Sequence, residues 1–173
     1  AANERAATGA DVLHLEVGQP STGAPAGVIA AATAALRNDT LGYTDALGIP
    51  ELRGAVARHY RNRYGIDVDA ERVVVTTGSF GAFLLAFLAA FDAGDRVGLA
   101  TPAYPAYRNI LKALDLEPVL LEAGPANRYQ ATVDLLRKVA APLDGLVVAS
   151  PANPTGTMLT PPELAALARP CES

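Results

Sequence analysis

The stretch Val73-Val74-Val75-Thr76-Thr77-Gly78-Ser79-Phe80-Gly81 decides how this chain is read. Three β-branched residues in succession suit a pleated strand. After the Thr-Thr-Gly-Ser turn, the run from Phe80 to Phe91 carries no charge and has the character of a helix. A strand, a tight turn and a helix N-terminus in that order form an anion cradle. The N–H groups of a first helical turn lack internal acceptors, and the helix dipole adds partial positive charge. A phosphate ester is the natural guest. The same residues also fit an ordinary glycine turn ahead of a buried helix, and this motif alone does not separate the two readings.

Spacing narrows the kind of phosphate. A dinucleotide fold requires G-x-G-x-x-G and an acidic residue about 20 positions later. Here only Gly78 and Gly81 stand as G-x-x-G, and the next strand candidate, Arg96 to Ala100, runs into Thr101-Pro102 with no carboxylate at its tip. A mononucleotide P-loop needs Gly-Lys-Ser/Thr after the turn, and none follows.

Two further motifs stand at matching places. Pro102-Ala103-Tyr104-Pro105-Ala106-Tyr107 follows the strand candidate at 96–100, and Ser150-Pro151-Ala152-Asn153-Pro154-Thr155-Gly156 follows another at Leu146 to Ala149. In an open parallel sheet ligands bind beyond the carboxyl ends of the strands, so all three segments are expected to face one crevice. They offer a phosphate cradle, an aromatic plate and an amide. Each also has a plainer reading: Tyr104 and Tyr107 as half-buried aromatics, and Asn-Pro-Thr-Gly as a turn made of turn-forming residues.

Together these residues resemble the fold-type I pyridoxal-phosphate enzymes, specifically the class I/II aminotransferases. Leu15-Glu16-Val17-Gly18-Gln19-Pro20 near the start and Gly42-Tyr43-Thr44-Asp45-Ala46-Leu47-Gly48-Ile49-Pro50-Glu51-Leu52-Arg53 extend the likeness over nearly the whole chain. The resemblance implies pyridoxal 5'-phosphate as cofactor. It implies that Gly78, Ser79 and Phe80 present backbone N–H groups, and Ser79 its hydroxyl, to the phosphate. Tyr104 would stack on the pyridine ring and Asn153 would hydrogen-bond the ring's 3-oxygen. Gly18 would touch the substrate α-carboxylate through its backbone. Tyr43 matches the Tyr that reaches the phosphate of a neighbouring subunit, which makes the full-length protein a homodimer with shared sites. The implied substrates are an amino acid and a 2-oxo acid. These roles also make physical sense, since an aromatic face holds a flat electron-poor ring and oriented N–H donors hold a phosphate. Thr101-Pro102 and Asn153-Pro154 are candidates for cis geometry.

The chain departs from the family at the catalytic lysine. Transamination needs a Lys that forms the Schiff base with the cofactor aldehyde and moves the proton at the substrate α-carbon. The sequence holds only Lys112 and Lys138. Lys112 lies in Tyr107 to Leu114, where Ile110, Leu111 and Leu114 take the apolar face; Lys138 lies in the similar stretch Val133 to Val139. Both read as solvated helix positions. In the family the Schiff-base Lys, its Asp and Tyr companions and the carboxylate-binding Arg all follow the N-P-T-G motif, and Ser173 closes this sequence soon after Gly156. The expectation is the front part of an enzyme, with no catalytic residue in this stretch and no transaminase turnover of its own.

Composition fits an α/β unit: 50% of residues are hydrophobic and 18% charged, with Ala-rich helical stretches alternating with Val/Leu-rich strands. That alternation predicts a mostly parallel sheet with helices on both faces, a three-layer α/β/α arrangement. Helices are expected near 25–37, 51–64, 80–91, 106–114, 132–140 and 161–168, and strands near 73–77, 96–100, 117–122 and 145–150. Residues 1–45 read as an N-terminal segment bridging a small and a large domain, and 46–173 as an incomplete large cofactor-binding domain.

Several function classes find no support. The uncharged run Phe80 to Phe91 is shorter than the ~20 residues a bilayer requires and reads as a helix buried behind the cofactor. No signal-peptide pattern precedes it, and a single Cys171 rules out an internal disulfide framework, so a cytoplasmic location is expected. A net charge of −4 without a basic stripe argues against nucleic acid. Arg53, Arg58, His59, Arg61 and Arg63 read as the solvated face of the helix at 51–64, and His14 and His59 lack companions at metal-ligand spacing. A lyase of the same fold would share every motif named above, and the aminotransferase-like effector domain of a transcription regulator, which keeps cofactor binding for sensing, is a further alternative.

Overall fold

Strand β1 (Arg96–Thr101) organises the sheet because its Val97-Gly98-Leu99 centre is buried on both faces. It pairs in parallel with β2 (Glu117–Glu122) on one side and β3 (Gly145–Val147) on the other, so the spatial order is β2-β1-β3. Near-continuous apolar character is what a parallel strand covered by helices above and below requires. The structure is a computed structural model that describes residues 2–13, 18 and 20–169. His14, Leu15, Glu16, Val17, Gln19 and Cys171 lie outside the described residues.

The chain forms two compact units, Ala1–Asp45 and Ala46–Ser173. The first holds α1 (Ala2–Ala7) and α2 (Ala26–Asn38), with Pro25 immediately ahead of α2. The second holds α3 (Pro50–Tyr64), α4 (Gly78–Ala90), α5 (Pro105–Ala113), α6 (Val133–Leu136) and α7 (Pro161–Ala168) around the sheet. Proline opens α3, α5 and α7, where its missing N–H costs no helical bond and its fixed φ suits the first turn.

Strand alternation sorts the core into two layers. Val97, Leu99 and Val147 share one face of the sheet and pack with Phe83, Phe87, Leu111 and Leu116 from α4, α5 and the turn after it. Ala100, Leu121 and Leu146 take the other face and pack with Val133, Leu136, Leu159 and Leu167. The three-layer α/β/α expectation therefore holds. Helix α5 follows the expected pattern, with Leu111 fully buried while Arg108 and Lys112 are exposed.

Four details differ from the sequence expectation. Residues 73–77 join no strand: the Val75 N–H donates to the Leu47 carbonyl at 2.9 Å, and the Val73 carbonyl accepts from Arg53 Nε at 2.8 Å. β1 already has a neighbour on each side, so no ladder position beside it is open. Gly48 makes the Leu47 turn possible. Its φ is +97°, and a Cβ there would stand 2.7 Å from the Val75 side chain. The strand expected at 145–150 stops at Val147, and the Ala149 carbonyl accepts from the Gln130 side chain. The helix expected at 132–140 is the single turn α6, followed by Arg137-Lys138; its continuation runs toward Pro142, and a proline disfavours helical backbone before it. Finally, α4 buries only one side. Phe87 is 7% exposed, whereas Leu84, Leu85 and Leu88 are 42–59% exposed.

The two sides of α4 and α5 differ in energetic weight. Leu111→Ala is expected to lower stability by about 3 kcal/mol through a core cavity, whereas Leu84→Ala, half in solvent, is expected to cost under about 1 kcal/mol. Urea unfolding of the two variants checks the contrast.

Candidate functional site

The chain order and the spatial order of the strands disagree at one place. β2 lies to one side of β1 and β3 to the other, so the connections leave the sheet in opposite directions and a crevice opens beyond the carboxyl ends of β1 and β3. Pro102 and Ala103 enter it from β1, and Ala149, Ala152 and Asn153 enter it from β3. A small cleft of about 20 Å³, room for about one water, lies among these residues together with Tyr107 and Gln130. The peptide bonds Thr101-Pro102, Ser150-Pro151 and Asn153-Pro154 are all cis.

The turn before α4 is drawn to the same place by aromatic contacts. The Phe80 ring meets the Tyr104 ring edge-on, with centroids 6.1 Å apart and planes at 77°. Tyr104 meets Tyr107 at 5.6 Å, and Tyr107 meets Phe83 at 4.9 Å, both edge-to-face. Such geometries satisfy the ring quadrupoles. Four rings thus tie the first turn of α4 to the start of α5, and Tyr107 continues the chain into the cleft beside Asn153. Of the residues expected at the site, Phe80, Tyr104 and Asn153 are linked in this way.

The cradle itself differs in one respect. Gly78 sits at φ +75°, in the left-handed region that glycine enters without a Cβ penalty. Its N–H donates to the Thr76 carbonyl at 2.8 Å, and the Thr76 hydroxyl in turn donates to the Gly78 carbonyl at 2.8 Å. Gly78 therefore shapes the turn, and the first-turn N–H groups of Ser79 and Phe80 have no acceptor within the helix, beside the exposed Ser79 side chain. Gly18 and Tyr43 belong to the first unit, where both are exposed. Lys112 and Lys138 are both exposed as well.

Sequence reasoning missed the residues that hold the Asn153 loop. Gln130 is a buried polar side chain, 3% exposed. Its Nε2 donates to the Thr157 carbonyl at 2.7 Å and the Ala149 carbonyl at 3.3 Å, with the Thr157 hydroxyl at 3.2 Å. Arg128 donates to the Met158 carbonyl at 3.2 Å and pairs with Glu163. These partners lie 19 to 35 residues downstream in the chain, and no local pattern announces them. Thr160 and Glu163 form a capping box at the start of α7, a signature that Thr160-Pro161-Pro162-Glu163 does carry in sequence.

The profile of the family described as aminotransferase class I and II matches residues 10–173. The chain belongs to that family. Over its whole length it is 58% identical to a valine–pyruvate aminotransferase of Mycobacterium tuberculosis, of which it covers 45%. A crystal structure of an aminotransferase from Mycobacterium tuberculosis superposes with a TM-score of 0.92 at 58% identity, covering 99% of this chain and 44% of that one. The aspartate aminotransferase of Thermus thermophilus solved with maleate superposes with a TM-score of 0.88 at 34% identity, covering 97% and 44%. The chain thus spans less than half the length of the relatives it matches. No helix among the described residues is long and apolar enough to cross a membrane.

Glu163 links the loop to pH. The Thr160 backbone N–H, then Arg128, then the Thr160 hydroxyl hold its carboxylate in the ionised form, pushing its pKa from 4.5 down to about 2. A depressed folded-state pKa adds stability above the unfolded value and loses it as pH falls through the folded one. The melting-temperature gap between the wild-type chain and Glu163→Gln is therefore expected to be full above pH 4.5 and to close as pH falls toward about 2. Melting curves of both proteins across that range check it.

Proposed function

We propose that this chain forms the cofactor-cradling part of a pyridoxal-phosphate-dependent aminotransferase that moves an amino group between an amino acid and a 2-oxo acid. The observation that supports the reading is the Phe80–Tyr104 ring contact, which joins the first turn of α4 to the start of α5. The donor set fits the group. Ser79 and Phe80 N–H with the Ser79 hydroxyl suit a phosphate ester at a helix N-terminus. Tyr104 suits the face of the pyridine ring, and the Asn153 carboxamide suits its phenolic oxygen.

Bound pyridoxal phosphate supplies an electron sink for charge leaving the substrate α-carbon. This chain's residues would anchor the phosphate, keep the ring flat against Tyr104 and hold its 3-oxygen through Asn153. Gly18 would meet the substrate carboxylate through its backbone, and Tyr43 would reach the phosphate of a second subunit in a homodimer. The proton at the α-carbon needs a lysine that Lys112 and Lys138, exposed on their helix and turn, do not supply. The identity of 58% to a valine–pyruvate aminotransferase makes valine and pyruvate the first substrate pair to try.

Joining residues 1–173 in frame to the remaining part of the Mycobacterium tuberculosis relative provides the test. The folded chimera is expected to turn over valine with pyruvate, while the 173-residue chain alone shows none. Tyr104→Ala and Ser79→Asp in the chimera are each expected to weaken pyridoxal phosphate binding by about tenfold or more, through loss of ring contact and charge repulsion respectively. A folded chimera without turnover or cofactor binding overturns the reading.

A further inference from the structure

The loop that carries Asn153 is fastened from within and from outside. Within it, the Ala152 N–H donates to the Thr157 carbonyl at 2.9 Å and the Gly156 N–H to the Ala152 carbonyl at 2.7 Å, closing a tight hairpin with Asn153 exposed near its tip; at its base the Leu159 N–H donates to the Ser150 hydroxyl at 2.9 Å. Its two arms, Ala149 leaving β3 and Thr157 returning, are joined from outside by one atom, Gln130 Nε2. A primary amide suits this position because it carries two N–H donors on one nitrogen, one for each arm. An ionised carboxylate of the same length has none.

The backbone ahead of Gln130 is shaped to deliver that amide. Arg128 and Tyr129 lie at φ +52° and +56°, two consecutive residues with side chains in the left-handed region. Such a conformation persists only where the surroundings over-determine it. Here the Tyr129 N–H donates to the Gly124 carbonyl at 3.0 Å and the Gln130 N–H to the Asn127 carbonyl at 3.0 Å. Arg128 then reaches past the loop to the Met158 carbonyl and to Glu163 at the head of α7. The segment grips the loop at its base and the helix that follows it.

We propose that Gln130, braced by Arg128 and Tyr129, is a positioning residue for Asn153: by tying the two arms of the loop it fixes the carboxamide against the cofactor ring, a role that rests on the cofactor reading above.

The test uses the full 173-residue chain and two readouts. Amide hydrogen exchange at Ala152 and Gly156 is expected to quicken by about tenfold in Gln130→Leu and, at neutral pH, in Gln130→Glu, while exchange at Leu99 and Leu111 stays unchanged. Acidifying Gln130→Glu restores one O–H donor, enough for one arm, so its protection, relative to the intrinsic rate, is expected to return in part; in Gln130→Leu it is not. Exchange within about twofold of the wild type in both variants overturns the clamp. Equilibrium dialysis against pyridoxal phosphate then compares Asn153→Ala, Gln130→Leu and the double variant. Weaker binding in both single variants, with the double no weaker than Asn153→Ala, supports positioning through Asn153. Weaker binding in Asn153→Ala with unchanged binding in Gln130→Leu overturns the proposal and leaves the proposed function standing. If the 173-residue chain binds too weakly to compare, the same variants are compared in the chimera; a folded chimera that binds no cofactor, or in which Asn153→Ala binds as the wild type does, overturns the cofactor reading of Asn153, and the positioning role with it, whatever the exchange shows.

Discussion

Parallel pairing of β1 with β2 on one side and β3 on the other is the constraint on which the rest of this chain depends. It buries Val97 and Leu99 between two helical layers, and it also forces the chain to leave the sheet in opposite directions after neighbouring strands. Loops that diverge in this way cannot cover each other's strand ends, so a crevice stays open there. Asn153 stands at that opening, and Phe80 and Tyr104 are tied to it by ring contacts. Core and site are products of one topological fact.

A crevice of irregular loops must still satisfy its backbone. The loop after β3 cannot continue the ladder, and its carbonyls at Ala149, Thr157 and Met158 are taken by side chains from 128–130. A buried amide is tolerated there only because its N–H groups are fully engaged. On the other side of the crevice, the turn at Thr76–Gly78 satisfies itself locally, and the N–H groups of Ser79 and Phe80 have no helical acceptor. The first loop adds distant side chains to its own backbone bonds, and the second is closed by its immediate neighbours alone. The first is accordingly sensitive to substitutions far away in sequence, and the second to glycine replacement at Gly78.

Much of this was legible beforehand, and for identifiable reasons. Alternation of apolar runs with amphipathic stretches gave the layers, because Val97-Gly98-Leu99 suits only a strand covered on both faces and Ile110, Leu111 and Leu114 repeat at helical spacing. The helices expected from 51, 106 and 161 start at Pro50, Pro105 and Pro161. The failures share a cause as well. Val73 to Thr77 has strand propensity, yet propensity does not supply a neighbour, and its backbone bonds to Leu47 and Arg53 instead. Phe80 to Phe91 is apolar all round, which suggested full burial, but packing against one layer covers only the Phe83–Phe87 side.

By itself the sequence determined which chemistry could be present: an anion-holding turn at Ser79, an aromatic at Tyr104, an amide at Asn153, and no lysine outside solvated positions. Those are properties of residue type and short-range spacing, which need no knowledge of the fold. Only the tertiary structure decided that Phe80 touches Tyr104, that the Gly78 N–H bonds to the Thr76 carbonyl, and that Gln130 and Arg128 hold the Asn153 loop. Each of these is a contact between groups whose positions follow from packing or from local backbone closure, and hydrogen bonds bridging 19 to 35 residues leave no periodic trace in the chain.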